Sequence, residues 1–342
     1  MRPSEKLLEI KHLRTSFFSD VGEVKAVDDV SLSLEEGETL GIVGESGSGK
    51  SVTMLSLMRL LPENGRVVAG EVLFNGKNLT VCSERQMESV RGNEIGMIFQ
   101  DPMTSLNPVF TVGNQLMETL RKHKKLSKRD AYERSVSLLS TVMIPDPERR
   151  IGQYPHEFSG GMRQRVMIAM ALCCGPALLI ADEPTTALDV TVQAQILELM
   201  KELNQKAKTS VVLITHDLGI IAGLCDRVAV MYAGTIAESG PVRDIFYRPR
   251  HPYTLGLLKS VPNPKRLVKE RLIPIKGQPP DLLKPPPGCS FAPRCERTMK
   301  ICLQKRPPMY AVGEADDNGR GHYSACFLNH PRIPEGGSPW PS

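Results

Sequence analysis

The sequence has little that could insert into a membrane or bind a nucleic acid. No apolar run approaches the roughly 18–20 residues that a membrane-spanning helix needs, and Met1 to Glu9 carry charges where a signal peptide has its apolar core. The formal charge is only +5, and a scattered excess of Lys and Arg usually marks a solvated surface. We therefore expect a cytosolic protein with no nucleic-acid partner, which reaches a membrane only through other subunits.

Internal repeats are also absent, and disulfides are not expected although the chain has eight cysteines. A reducing cytosol keeps thiols free. Four cysteines are scattered among apolar or helical stretches and are interpreted as small buried hydrophobic residues: Cys82, Cys173, Cys174 and Cys225. The other four lie close together near the C-terminus, at Cys289, Cys295, Cys302 and Cys326.

Short apolar runs alternate with amphipathic helical patterns up to about residue 240, which predicts an α/β domain. The predicted strands are Thr39–Val43, Ile95–Phe99, Ala177–Ala181 and Ser210–Thr215, and the predicted helices are Lys50–Leu61, Gly161–Cys174, Thr191–Gln205 and Leu218–Leu224. Residues 102–160 are more polar and indicate a helical insert, with helices near Gly113–His123 and Lys128–Val142. A short helix at His251–Lys259 leads into a Pro-rich stretch that can form neither helix nor central strand.

Residues 44–51 read Gly-Glu-Ser-Gly-Ser-Gly-Lys-Ser and match the phosphate-loop pattern G-x-x-x-x-G-K-[ST] in full. Glycines allow consecutive backbone N–H groups to point at phosphates, and the following helix adds the positive end of its dipole. Lys50 is expected to bridge the β- and γ-phosphates of ATP, and the Ser51 hydroxyl to bind Mg²⁺. The rest of the predicted binding loop is Gly44, Glu45, Ser46, Gly47, Ser48 and Gly49.

Two acidic residues, Asp182 and Glu183, follow the apolar strand predicted at 177–181. In phosphate-loop enzymes the first acidic residue after such a strand binds Mg²⁺, which is the role expected of Asp182. Glu183 is placed to polarise the attacking water as a general base. Alone, a strand that ends in Asp-Glu is equally consistent with a solvated loop. Downstream of a complete phosphate loop, it predicts a hydrolytic site.

Further motifs resemble those of one family, the ABC ATPases. Residues 158–165, Phe-Ser-Gly-Gly-Met-Arg-Gln-Arg, resemble its signature motif. Gln100 in Ile-Phe-Gln-Asp-Pro resembles its Q-loop, residues 187–189 its D-loop with Asp189, and residues 215–217 its switch region with His216. The resemblance implies an ATPase with an α/β fold: a RecA-like core with a parallel sheet, an antiparallel β subdomain, and a helical subdomain at about 102–160.

The resemblance also implies roles for individual residues. Gln100 contacts Mg²⁺ and the attacking water, and His216 contacts the γ-phosphate. Phe17 stacks on adenine, with Phe18 as the alternative; the competing interpretation is that both are core aromatics. Lys50, Glu183, Gln100 and His216 are thus the predicted catalytic residues, and Asp189 is counted among the nucleotide-contacting residues.

The signature segment is chemically suited to binding an anion. Ser159, Gly160 and Gly161 supply a hydroxyl, exposed N–H groups and a helix N-terminus. In ABC proteins this segment closes on the γ-phosphate bound by the opposite subunit, so that two ATP molecules lie between two cassettes. Each nucleotide motif occurs once in this chain. It therefore needs a second ATPase subunit to complete a site.

The C-terminal third resembles ATPases of oligopeptide, dipeptide and nickel importers. Residues 250–254, Arg-His-Pro-Tyr-Thr, are characteristic of them, and residues 98–108 and 157–165 follow the same pattern. The resemblance implies ATP hydrolysis that powers peptide import, with nickel or another small cargo as the alternative and a soluble ATPase acting on nucleic acid as a more distant one. The implied partners are a related sister ATPase, two permeases and, indirectly, an extracytoplasmic binding protein, at the cytoplasmic face of the inner membrane.

The four late cysteines have the spacing C-x5-C-x6-C-x23-C, unlike the two-residue spacing of common zinc ribbons and bacterial ferredoxins. Four thiolates can still enclose Zn²⁺ or a [4Fe–4S] cluster, or can remain unliganded. Some members of the importer subfamily carry such a cluster in this region, so the resemblance favours [4Fe–4S] with a structural role. The expected domains are residues 1–250 for nucleotide binding, 251–330 for an irregular cysteine-containing extension, and 331–342 for a tail.

Overall fold

The computed structural model describes residues 6–101, 105–185, 190–260, 274–313 and 321–332. The chain divides into two compact units. Unit 1 comprises Met1–Leu7, Leu34–Thr39 and Val81–Ile214, and unit 2 comprises Leu8–Ser33, Leu40–Thr80 and Thr215–Ser342. In the part of the chain that the structure describes, no helix has both the length and the apolar character that crossing a membrane requires.

The secondary structure is that of a mixed α/β protein. The strands are β1 (Lys6–Ser19), β2 (Gly22–Glu35), β3 (Thr39–Val43), β4 (Gly65–Phe74), β5 (Lys77–Asn78), β6 (Ile95–Ile98), β7 (Leu178–Asp182), β8 (Ser210–Ile214), β9 (Arg227–Tyr232), β10 (Thr235–Pro241), β11 (Tyr310–Ala311) and β12 (Tyr323–Ser324). The α-helices are α1 (Lys50–Met58), α2 (Glu84–Val90), α3 (Val112–Lys124), α4 (Lys128–Thr141), α5 (Pro147–Arg150), α6 (Gly160–Leu172), α7 (Val190–Ala207), α8 (Leu218–Leu224), α9 (Val242–Tyr247), α10 (Pro252–Lys259) and α11 (Lys300–Gln304).

Unit 1 contains three parallel strands and the helical insert. Strands β6, β7 and β8 pair in that order, and every residue in them is buried. Such continuous apolar strands are typical of a parallel sheet covered on both faces. Helices α3, α4 and α6 pack against one another, and Thr111, Ser127 and Ser159 cap their N-termini through side-chain oxygens. The predicted helices of the insert are confirmed to within one residue.

Unit 2 contains two groups of strands. The first is a four-stranded sheet in the order β2-β1-β4-β5, in which β1–β4 and β4–β5 are antiparallel. The second runs β11-β12-β10-β9-β3; β3 and β9 are parallel, and the other pairs are antiparallel. The predicted strand at 39–43 is confirmed, and it leads directly to the phosphate loop. The helix predicted over Lys50–Leu61 ends earlier, at Met58, because Arg59 adopts a left-handed conformation (φ 52°) that closes it.

The C-terminal part of unit 2 is irregular and has a very small core of its own. Residues 274–291 contain neither helix nor strand, as the Pro-rich pattern predicts. The buried cluster consists of Ala292, Cys302 and Phe327, with Cys289, Met299 and Tyr310 packed against it. So few apolar side chains bury too little surface to stabilise a segment of this length alone.

Candidate functional site

The phosphate loop lies between β3 and α1, and its glycines are required by geometry. Gly44, Gly47 and Gly49 have φ of 155°, 74° and 98°, which other residues adopt only with strain. A Cβ at Gly44 would lie 2.2 Å from the backbone oxygen of Met231, and one at Gly49 would lie 2.5 Å from that of Ala26. The loop is therefore packed tightly against backbone on one side.

The other side of the loop is open. Ser46 and Gly47 are exposed, and no atom lies within 4 Å of the position that a Cβ at Gly47 would take. The Lys50 side chain is buried, and its ammonium group donates to the carbonyl oxygens of Gly44 (2.9 Å) and Glu45 (3.0 Å). Ser51 follows in the first turn of α1. The loop thus has the shape and the cationic donor that a polyphosphate requires.

The two acidic residues lie where β7 ends. Asp182 is the last residue of the strand and is buried. Glu183 has φ 47°, an unusual value for a non-glycine residue, and its N–H donates to the carbonyl oxygen of Ile214 at 2.9 Å. Gln100 donates from Nε2 to Oε2 of Glu183 at 3.0 Å. The structure therefore brings the predicted Q-loop glutamine and the predicted general base into contact.

The signature segment forms the N-terminus of α6. Ser159 caps the helix, its hydroxyl accepting the N–H of Met162 at 3.3 Å. Ser159 and Gly160 are exposed, so this helix end is accessible within unit 1. One residue that the sequence analysis did not single out, Gln164, donates from its buried amide to the carbonyl oxygen of Pro184 at 2.6 Å. It ties the signature helix to the segment that follows Glu183.

The remaining predicted residues lie in unit 2, apart from Asp189, which lies outside the described residues. His216 is exposed and immediately precedes α8, whose N-terminus Asp217 caps. The Phe17 ring is half-buried over Gly65; a Cβ there would lie 2.7 Å from Cε1 of the ring. The guanidinium carbon of Arg66 lies over the ring of Phe18, 4.1 Å from the ring centroid. Of the two aromatics, Phe18 has a cationic partner and Phe17 packs on backbone.

Two further residues, Tyr253 and Arg294, contact the phosphate loop, and the sequence analysis did not assign them this role. The hydroxyl of Tyr253 accepts the N–H of Glu45 at 2.8 Å, and burial raises the pKa of this hydroxyl, which therefore stays neutral. Arg294 forms a bidentate ion pair with the Glu45 carboxylate. Two features of the sequence could have pointed to these residues. Tyr253 belongs to the Arg-His-Pro-Tyr-Thr motif, and Arg294 directly precedes Cys295.

The four late cysteines line one small cavity in unit 2, together with His251, Phe291 and Phe327. The chain path also links them, because the N–H of Cys289 donates to the carbonyl oxygen of Cys302 at 2.7 Å. All eight cysteines of the chain are free thiols. Among the residues that the structure describes, no group of three or more His, Cys, Asp or Glu side chains is arranged to hold a metal ion.

The surroundings of three of these thiols favour the protonated form. Burial raises the pKa of Cys289 and of Cys295, and raises that of Cys326 to about 12. The neighbouring thiols raise these pKa values further, because several thiolates in one apolar cavity repel one another. A bound cationic group would lower these pKa values and allow the thiolate form.

The loop, the acidic strand end, the Gln100–Glu183 contact and the capped Ser-Gly-Gly segment define a class of protein: a phosphate-loop ATPase of the ATP-binding cassette type. Each of these features is formed by residues of a single unit. Comparison with known proteins identifies the family.

The ABC transporter family matches residues 27–186, and the C-terminal region of oligopeptide/dipeptide transporters matches residues 237–302. The oligopeptide transport ATP-binding protein OppD of Bacillus subtilis is 57% identical over 331 residues, covering 96% of this chain and 91% of that protein. The dipeptide transport ATP-binding protein DppD of Bacillus subtilis is 58% identical over 330 residues, or 96% of each. A solved dimeric ATP-binding cassette in a post-hydrolysis state, with ADP and phosphate, aligns with a TM-score of 0.63 and 27% identity over 69% of this chain and 99% of its own.

The chain therefore belongs to the ABC transporter family, alongside the oligopeptide and dipeptide transport ATP-binding proteins.

Proposed function

We propose that this chain hydrolyses ATP to power the import of peptides through a membrane transporter. The observation that carries the proposal is the combination, in one chain, of a complete phosphate loop with the C-terminal region of oligopeptide/dipeptide transporters. Relatives named as peptide transport ATP-binding proteins cover 96% of the chain at more than half identity. Cargo of another kind, such as nickel, is an outcome of the experiment below.

Within the proposed site, Glu183 accepts the proton of the water that attacks the γ-phosphate. Gln100 supports this role, because its amide holds the Glu183 carboxylate in place. Lys50 contacts the β- and γ-phosphates, and His216 contacts the γ-phosphate. Mg²⁺, which neutralises phosphate charge when bound, would be held by Ser51 and Asp182, aided by Gln100. Phe17 offers its ring face to adenine.

The proposed enzyme works as a pair of ATPase subunits. Ser159 and Gly160 lie exposed at the N-terminus of α6, where a phosphate bound by a second subunit can be reached. The solved cassette that aligns with this chain is itself dimeric. The second subunit is proposed to be a related sister chain. Asp189 is assigned to the same interface by its motif.

A permease docks on unit 1, close to the Q-loop, in this proposal. Phe99, Val109 and Phe110 are large apolar residues with 37%, 69% and 50% of their surface exposed, and they flank Gln100 on both sides in sequence. An exposed apolar group of this kind favours a protein partner. Two permeases would hold the ATPase pair at the cytoplasmic face of the membrane. An extracytoplasmic binding protein would deliver the peptide to them.

We also assign a [4Fe–4S] cluster to the cavity lined by Cys289, Cys295, Cys302 and Cys326. Four thiols facing one cavity are a suitable donor set. Zn²⁺, which four thiolates also bind, is the alternative to the cluster. Either group, when bound, would cross-link a segment with almost no core.

Uptake by cells that carry Glu183→Gln at the native locus tests the proposed function. We expect loss of uptake of labelled dipeptides or oligopeptides, with the variant protein present at normal levels, since the change removes the base and keeps the shape. Glu202→Gln, an exposed acidic residue on α7, is the matched control and should leave uptake normal. Loss of nickel uptake alone would replace the peptide assignment. Normal uptake of all these cargoes would overturn the importer assignment.

A further inference from the structure

Arg294 is buried and fully hydrogen-bonded at the side of the phosphate loop. Only 4% of its side chain is exposed. It donates to both carboxylate oxygens of Glu45 (2.7 and 3.0 Å), to the hydroxyl of Tyr232 (3.2 Å), and to the carbonyl oxygens of Ile275 (3.2 Å) and Lys276 (3.0 Å). A guanidinium has five N–H donors, so every one of them is used. The side chain is fixed at one place and in one orientation.

Its main partner, Glu45, is the second residue of the phosphate loop. The side chain of Glu45 is held by Arg294, and its N–H is held by the Tyr253 hydroxyl. Its carbonyl oxygen accepts the ammonium group of Lys50 at 3.0 Å. Glu45 is thus held through side chain and backbone together. The lysine that contacts phosphate rests on the same residue.

At its other end, Arg294 belongs to the cysteine segment. It is the last residue of the single 3₁₀ turn Ala292–Arg294, and Cys295 follows it. The N–H of Ala292 donates to the carbonyl oxygen of Cys289 at 3.0 Å, and that of Cys295 donates to Ala292 at 3.3 Å. The backbone between the two cysteines is therefore one short hydrogen-bonded unit, and this unit carries the guanidinium.

We propose that Arg294 is a positioning residue of the ATPase site, through which the four-cysteine segment holds the phosphate loop in its nucleotide-binding conformation. The proposal rests on the ATPase function given above. Its consequence is that a displacement of the cysteine segment lowers the affinity for ATP. The cysteine segment then acts on the reaction without touching the nucleotide, because Glu45 transmits its position to the loop.

Titration of the full-length chain, purified without oxygen, with a fluorescent ATP analogue tests this role. Arg294→Met should weaken binding about tenfold, since it removes charge-assisted hydrogen bonds to Glu45. KM for ATP should rise more than kcat falls. Arg294→Lys, which keeps the charge but not the bidentate geometry, should lie between wild type and Arg294→Met. The matched control is Lys305→Met, which changes an exposed cation of the same extension and should leave affinity unchanged.

A double-mutant cycle tests the link to the cysteines. Cys295→Ser should weaken ATP binding in the wild-type background and add little in the Arg294→Met background, because both changes interrupt one connection. Amide hydrogen exchange of residues 44–51 should be faster in both single variants. If Arg294 had only a structural role, Arg294→Met would instead lower the unfolding temperature. ATP affinity and the amide hydrogen exchange of residues 44–51 in the folded protein would then be unchanged.

The outcomes are separable. Wild-type affinity for the ATP analogue in Arg294→Met overturns the inference and leaves the proposed function in place. Additive effects of Cys295→Ser and Arg294→Met overturn the link to the cysteine segment. Failure of the wild-type chain to bind the analogue overturns the proposed function, and the inference with it.

Discussion

At the residue scale, whether a glycine of this chain can be replaced by alanine depends on how close a backbone carbonyl oxygen lies to the added Cβ. In β6, a Cβ at Gly96 would lie 2.2 Å from the carbonyl oxygen of Ala171 in α6. A backbone atom cannot rotate away as a side chain can, so the strand and the helix would have to separate. At Gly223, in α8, nothing lies within 4 Å of the corresponding position, and the residue is exposed. The two glycines therefore have opposite consequences when replaced.

Gly96→Ala should destabilise the protein by about 1–3 kcal/mol, because the added methyl group overpacks the contact between β6 and α6. Gly223→Ala should stabilise it by about 0.5–1 kcal/mol, since alanine loses less conformational entropy in a helix. Denaturant unfolding of the two variants beside the wild type measures both effects. A destabilised Gly223→Ala, or a neutral Gly96→Ala, would contradict this account.

At the element scale, α10 is the short helix that carries Tyr253 to the phosphate loop. His251 is its N-cap, accepting the N–H of Tyr253 through Nδ1 at 3.1 Å, and Pro252 occupies the first helical position. The histidine is buried, which lowers its pKa to about 4 and keeps Nδ1 available as an acceptor at neutral pH. The Arg-His-Pro-Tyr-Thr motif thus has a local physical meaning, a capped helix start.

His251→Ala should cost about 1 kcal/mol of stability, because it leaves the N–H of Tyr253 without its side-chain acceptor. His251→Asn, which restores a capping oxygen, should recover part of this loss. Thermal unfolding of both variants is the measurement. Equal losses in the two would assign the role of His251 to packing in the cavity rather than to capping.

The predicted elements that were right are those whose signal is local. The phosphate loop, the strand at Thr39–Val43 and the helix at Leu218–Leu224 follow from glycine spacing, apolar runs and caps within a few residues. The end of α1 was misplaced because Arg59 breaks the helix against its own propensity. The contacts of Glu45 with Tyr253 and Arg294 were not predicted, because sequence periodicity carries no information on pairs separated by over 200 residues.

At the scale of the whole molecule, the C-terminal extension contacts the rest of unit 2 through polar groups as well as through Phe291, whose ring packs against that of Tyr232. His322 pairs with Glu238 at 2.7 Å, and both side chains are buried. Arg306 pairs with Asp28 near the protein surface. A buried polar contact such as that between His322 and Glu238 contributes little net stability, because desolvation offsets the attraction. The cross-link proposed above for the cysteine cavity would add to the stability of the extension.

Metal analysis of the chain purified without oxygen tests for this cross-link. We expect about four iron atoms and four sulfides per chain, and Cys302→Ser should lower both and lower the unfolding temperature. Cys225→Ser changes a thiol that does not line the cavity, and it should retain the metal. One zinc per chain would replace the cluster with a zinc site. A metal-free wild type with unchanged stability would remove the cross-link altogether.

The pairing of Glu45 with Arg294 also bears on biosynthesis. The two residues are 249 positions apart, and a ribosome makes the phosphate loop early and its arginine partner late. During most of translation, the nascent polypeptide contains Glu45 in its phosphate loop but does not yet contain Arg294, its ion-pair partner. Prematurely terminated products would keep the motif and lack the support. With the role proposed for Arg294, tight binding of ATP would require the full-length chain.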